Sequence, residues 1–235
     1  MAKRGSISGM THLEKILGGV VWAAYILILP LAANPLFDFL QQVFSISISG
    51  GTRDALYYYI LFGLAVIAFW GYLGREGRAF LNHAGNALAA VGIGLAAFYG
   101  LNEILFRLLR MLSVLPPNLN DQAILARIVS APQSTILILV FLAPVIEEVL
   151  FRGYIFGNLL EYNRWAAYLA SCVLFALLHV WPYFAEGWDP AYLVAMVQYL
   201  VPGAVMAWAF ERSGSLWGSI LLHGAVNALA VWSVA

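Results

Sequence analysis

Two adjacent carboxylates and an arginine, Glu147, Glu148 and Arg152, stand inside the apolar run Ala143-Pro144-Val145-Ile146-Glu147-Glu148-Val149-Leu150-Phe151-Arg152-Gly153. Taking a carboxylate out of water costs several kcal/mol even after relaxation, so groups at such a place are paired, protonated or working. On a helix, residues four apart share a face and adjacent ones diverge by about 100°. Glu148 and Arg152 are therefore neighbours, in the favourable order with the acid first. Glu147 points elsewhere, unpaired by anything in its own helix, and is the expected general base or acid.

The chain has four histidines, and two of them, His179 and His223, lie in the apolar runs Phe175-Ala176-Leu177-Leu178-His179 and Leu221-Leu222-His223-Gly224-Ala225-Val226-Asn227. His223 and Asn227 are again four apart and present an imidazole and an amide on one face. A single helical histidine is an ordinary packing residue, but two of them with Asn227, all downstream of Glu147, suggest a common site. Two chemistries fit it. In one, Glu147 and His179 polarise a water that attacks a peptide carbonyl, while His223 and Asn227 donate hydrogen bonds to the oxyanion. In the other, Glu147, His179 and His223 bind zinc. An HExxH pattern, which supplies two ligands from one helix, is missing, so a metal-free site with no cofactor is expected.

The elements that must hold these groups are transmembrane helices. The sequence is 63% hydrophobic and 10% charged with a mean hydropathy of +0.84, far from the balance of a soluble domain. With spans of about 20 residues, 235 residues make an all-α polytopic bundle of about seven spans, within six to eight. The expected spans are Leu17 to Ala33, Leu56 to Leu73, Asn86 to Leu105, Thr135 to Phe156, Ala166 to Trp181, Pro190 to Phe210 and Leu216 to Val234. The Arg107 to Ser134 stretch reads as an interfacial amphipathic segment with a turn. The Tyr57-Tyr58-Tyr59 cluster, with Trp70 and Tyr72, suits the headgroup level. Gly92, Gly94 and Gly100 invite close helix approach. Counting 1.5 Å per residue from the polar joints places Glu147, His179, His223 and Asn227 roughly 15–25 Å deep, in one layer. Residues 1–134 then form N-terminal helices and the interfacial segment, and 135–235 four successive spans, within one membrane domain.

Twelve basic and twelve acidic residues cancel, so no global field recruits nucleic acid, and the expected partners are the lipid bilayer and a membrane-anchored protein or peptide. The single cysteine, Cys172, lies in an apolar run and reads as buried and inert. The basic start Met1-Ala2-Lys3-Arg4-Gly5 leads into a first span without a cleavage site. Lys3, Arg4, Lys15, Arg75, Arg78, Arg164 and Arg212 fall on one side, which places the N-terminus in the cytoplasm, although Arg107, Arg110 and Arg127 oppose this. Glu103 with Arg107 reads as an interfacial ion pair. Gln198 and Tyr199 are possible channel-lining residues, and Trp181-Pro182-Tyr183-Phe184 an interfacial belt. His12 and His83 read as solvated.

Glu147-Glu148-x-x-x-Arg152-Gly153, Phe175-x-x-x-His179 and Ser215-Leu216-Trp217-x-x-x-x-x-His223-x-x-x-Asn227 resemble, in order and spacing, the motifs of the CPBP (CAAX protease and bacteriocin-processing, or ABI) family, which includes the type II CAAX prenyl endopeptidases. The resemblance covers about Pro144 to Ala230. It implies an intramembrane glutamic endopeptidase with a four-helix core, in which Glu147 and His179 activate water, His223 and Asn227 form the oxyanion site, and Glu148 and Arg152 support it. The expected activity is hydrolysis near the C-terminus of a lipidated or hydrophobic substrate, or processing of a bacteriocin leader or sorting signal. The cytoplasmic membrane is the expected location if the source is prokaryotic. Rival classes are a proton-coupled transporter or channel, which buried Glu and His also suit, and a non-catalytic immunity protein.

Overall fold

The computed structural model describes residues 9–114 and 118–233. Lys3, Arg4, Val234 and positions 115–117 of the stretch expected to be interfacial lie outside the described residues. Among the described residues there are ten helices and no strand. We label them α1 (His12–Ile28), α2 (Leu29–Phe44), α3 (Gly50–Ala68), α4 (Trp70–Asn82), α5 (Ala84–Met111), α6 (Leu119–Ser130), α7 (Pro132–Leu160), α8 (Arg164–Glu186), α9 (Ala191–Ser213) and α10 (Leu216–Trp232).

Local signals set the boundaries. Thr11 and Glu14 form a reciprocal capping box at the start of α1, and Ser49, Asn118, Asn163 and Ser215 each accept a backbone N–H at the starts of α3, α6, α8 and α10. Gly214 ends α9 in the left-handed region, with φ of 70°, which lets α10 turn back at once.

Four helices, α5, α7, α8 and α9, are straight enough, long enough and apolar enough to cross a bilayer, and counting each bent pair as one span brings the total to six. The bent pairs are α1 with α2, at 71°, and α3 with α4, at 77°. The expected second span, Leu56 to Leu73, is thus broken at Phe69, whose φ of −114° and ψ of 19° leave the helical region. Helix α10, expected as a seventh span, is apolar but has 17 residues. The chain is an all-α polytopic bundle with α7 at its centre. The most apolar stretch of α7 is 61% buried inside the protein, against 11% for that of α5. Apolar faces of α5 such as Leu88, Ile93 and Ile104 are exposed, as lipid-facing residues are.

Around α7 stand α3, α8 and α10, with α9 packed between α8, α5 and α10. The aromatics near α3 divide differently from the expected belt. Tyr57 and Tyr58 pack inward on the core, Tyr72 is buried, and only Tyr59 and Trp70 face outward. The 77° bend at Phe69 carries Tyr72 off the line of α3. Of the four glycines of α5, Gly94 alone meets a neighbour, since a Cβ there would lie 2.5 Å from Leu222.

Helix α7 is not a regular α-helix. It widens into π-helical turns at Ile138–Leu142 and Val149–Phe156, on either side of Ala143–Glu148. Such turns displace side chains and carbonyls from the regular ladder and recur at functional sites.

Candidate active site

Proline at 144 has no N–H to give. In the widened turn before it, the Ala143 N–H bonds to the carbonyl of Ile138, five residues back, so an amide at 144 in the same register would have taken the carbonyl of Leu139. The side chain of Asn227 takes it instead, with Nδ2 donating to Leu139 O at 2.8 Å. Because that partner is an acceptor, the Asn227 nitrogen is fixed toward it and the amide keeps a second N–H. One turn earlier on α10, Gly224 faces the next carbonyl, and a Cβ there would lie 2.7 Å from Val140 O. The His223-Gly224-x-x-Asn227 stretch is shaped to the gap that Pro144 makes.

The start of α10 is fastened to α4 by the Ser215-Leu216-Trp217 motif. Ser215 Oγ donates to Glu76 O at 2.7 Å, Leu216 N–H to the buried Glu76 carboxylate at 2.7 Å, and Trp217 Nε1 to Leu73 O at 3.1 Å. Both ends of the segment that carries His223 are thereby tied to other helices.

Glu148 and Arg152 have no exposed surface, and Arg152 Nη1 donates to Glu148 Oε1 at 3.0 Å. The second arm of the guanidinium, Nη2, donates to the carbonyl of Gly203 at 3.0 Å. The ring of Phe175 covers the guanidinium carbon at 4.4 Å. The same residue's carbonyl meets His179 Nδ1 at 2.9 Å. A carbonyl only accepts, so Nδ1 carries the proton and Nε2 of His179 is left with its lone pair. This double duty explains the Phe175-x-x-x-His179 spacing.

His223 joins the two acids. Its Nδ1 lies 2.8 Å from Glu148 Oε1, and its Nε2 lies 3.9 Å from Glu147 Oε2. Glu147, 6% exposed, receives a hydrogen bond from Tyr25 Oη at 3.2 Å. Its partners come from other helices, as the spacing within α7 required. A cavity of about 590 Å³ adjoins the site, and His179, His223, Asn227, Leu139 and Phe175 line it on one side. Glu147 stands just behind that lining. Gln198 and Tyr199 line the cavity as well, together with residues of α5 and α6.

The structure thus brings Glu147, Glu148, Arg152 and His223 into one contiguous cluster and places His179 and Asn227 on the adjoining wall. Glu103 and Arg107 form an exposed ion pair at 2.6 Å, and Trp181 packs on the core. Sequence reasoning missed Tyr25, which lies 122 residues from Glu147 with no spacing to connect them. It also missed Gly203, whose role is a backbone carbonyl. Tyr25 had one available signal, a hydroxyl inside the apolar run of α1, which needs a buried partner.

His179 and His223 each have Nδ1 engaged, with Phe175 O and with Glu148, which leaves their Nε2 atoms available, and no group of three or more His, Cys, Asp or Glu side chains among the described residues is arranged to hold a metal ion.

Residues 129–229 match the family model described as Type II CAAX prenyl endopeptidase Rce1-like. The chain is 33% identical over 90 residues to the UPF0177 protein YxdF of Lactococcus lactis subsp. lactis (strain IL1403), over 38% of this chain and 44% of that protein. It is 28% identical over 98 residues to the UPF0177 protein YbdI of the same strain, over 40% of this chain and 46% of that protein. With YdiL of Bacillus subtilis (strain 168), named as a candidate membrane peptidase, it shares 32% identity over 113 residues, 48% of this chain and 41% of that protein. The match spans less than half the length of each of these relatives. No solved structure matches the chain. The motif resemblance and the match to the Rce1-like type II CAAX prenyl endopeptidase model coincide on α7 to α10.

Proposed function

We propose that this protein is a membrane endopeptidase of the glutamic type, which hydrolyses a peptide bond near the C-terminus of a membrane-anchored, lipidated or hydrophobic substrate. The observation that carries this reading is His223, held between Glu148 at 2.8 Å and Glu147 at 3.9 Å beside a cavity that His179 and Asn227 also line.

Water is held between Glu147 and the lone pair of His179 Nε2. As its oxygen adds to the substrate carbonyl, its proton passes to the Glu147 carboxylate. The oxyanion that forms accepts from the free N–H of Asn227 and from Nε2–H of His223. With Nδ1–H already given to Glu148, His223 donates through Nε2 as the imidazolium, which carries a proton on both ring nitrogens. Collapse of the tetrahedral intermediate breaks the C–N bond, and Glu147 returns the proton to the leaving nitrogen. Glu148 and Arg152 hold His223 in place. Peptides at the ends of bacteriocin leaders or sorting signals meet the same description of substrate. The setting is the cytoplasmic membrane with the N-terminus in the cytoplasm. The ion pairs of Lys15 with Glu161 and of Arg164 with Glu211 support that orientation by gathering basic residues at one end of the bundle.

The test is cleavage of a lipidated or hydrophobic peptide by the purified protein in nanodiscs. Glu147→Gln should abolish it, and full activity in that variant would sink the mechanism. Ion flux into liposomes that depends on Glu147, without proteolysis, would replace the reading with a transporter.

A further inference from the structure

The ring of His179 is held by more than its bond to Phe175. Tyr199, on α9, lies nearly parallel to it, with centroids 4.3 Å apart and planes 19° from each other. On its other flank is Phe175, with centroids at 4.7 Å and planes at 52°. One bond and two rings leave His179 Nε2 as the atom free for the cavity. Tyr199 is itself anchored, because its hydroxyl donates to Asn118 Oδ1 at 2.7 Å. That same oxygen accepts the Asp121 N–H at 3.1 Å and so caps α6. Helix α6 forms part of the wall of the same cavity, through Ile124, Leu125 and Ile128, and its far end is fixed by the Arg127–Asp54 ion pair at 3.0 Å.

We propose that Tyr199 is a positioning residue for His179, and that its bond to Asn118 ties the orientation of that imidazole to the seating of α6 against the occupant of the cavity. The proposal rests on the hydrolytic reading of His179. Asn118 lies outside residues 129–229, so the segment that matches the family would take the alignment of one of its histidines from a helix that mostly precedes it. An occupant that presses on α6 moves the cap, the cap moves the phenol, and the phenol moves the imidazole.

The experiment compares Tyr199→Leu, Tyr199→Phe, Asn118→Ser and the double variant Tyr199→Phe/Asn118→Ser, each as the full chain in nanodiscs with a hydrophobic peptide substrate. Tyr199→Leu removes the stack and should lower kcat by about tenfold to a hundredfold while KM stays within about twofold. Tyr199→Phe keeps the ring and should recover most of that loss. Serine still caps α6 but is too short to reach the phenol, so Asn118→Ser should match Tyr199→Phe, and the double variant should be no slower than either. In parallel, the Hε1 resonance of His179 in protein labelled at histidine should shift in Tyr199→Leu and return near its wild-type position in Tyr199→Phe. Raised KM with unchanged kcat in Tyr199→Leu would make Tyr199 a wall contact only. Additive losses in the double variant would break the link to α6. If the wild-type protein cleaves no peptide, the hydrolytic reading fails, and the resonance alone decides the positioning: an unmoved His179 signal in Tyr199→Leu overturns it.

Discussion

Replacing Arg152 with methionine should be among the most damaging single substitutions in this chain. The guanidinium is fully buried, pairs with Glu148 at 3.0 Å and bonds to Gly203 O at 3.0 Å. Methionine fills much of the volume but leaves Glu148 as a buried charge without its cation, and the Gly203 carbonyl loses the arginine as donor. Breaking one side of such a pair costs about 3–5 kcal/mol, or about two to three and a half orders of magnitude in the folded-to-unfolded ratio. Removing the charge from both partners is cheaper than the sum of the parts, because no lone ion remains. The assay is the unfolding free energy in bicelles for Arg152→Met, Glu148→Gln and the double variant, with peptide cleavage measured on each. The double variant should be less destabilised than the summed singles by about 2 kcal/mol or more, within the range of coupled pairs. It should still cleave poorly, since His223 has lost the carboxylate that orients Nδ1. An Arg152→Met protein within about 1 kcal/mol of wild type, or additivity within about 0.5 kcal/mol, would refute the reasoning.

Other substitutions test the neighbours. Asn227→Ala removes one oxyanion donor and should lower kcat by about a hundredfold to a thousandfold with little change in KM, read from steady-state cleavage. Tyr25→Phe takes away the hydrogen bond that α1 gives to Glu147 Oε1 while keeping the ring, and should cost roughly 0.5–1.5 kcal/mol in stability together with a loss of turnover, checked by unfolding and cleavage in the same preparation. Gly224→Ala sets a methyl 2.7 Å from Val140 O, so α10 must shift; a loss of about 1–3 kcal/mol is expected, with the deficit in cleavage exceeding that in folded protein.

What could be read from the chain beforehand followed from local geometry. The Glu148–Arg152 pair and the shared face of His223 and Asn227 need only the rule that residues four apart meet, and the structure has the first at 3.0 Å. The depth count brought His179 toward the same layer because helix rise is constant. Features that depend on contact between distant segments were invisible. Tyr25 reaches Glu147 from the far end of the chain, and Gly203 contributes only a carbonyl. The break at Phe69 has no proline or glycine at the residue itself to announce it. The widened turns of α7 were also hidden: Pro144 was visible, but the displaced carbonyl acquires meaning only beside Asn227.

That displaced carbonyl sets local and global interests against each other. Substituting Pro144 by alanine would restore an amide and improve the intrinsic helix propensity of α7. The new N–H would compete with Asn227 for Leu139 O, at the place where the amide now donates at 2.8 Å. A repair that makes one helix more regular thereby releases the tether of another. The irregularity of α7 works as a docking notch, and its absence would be felt first in the alignment of α10.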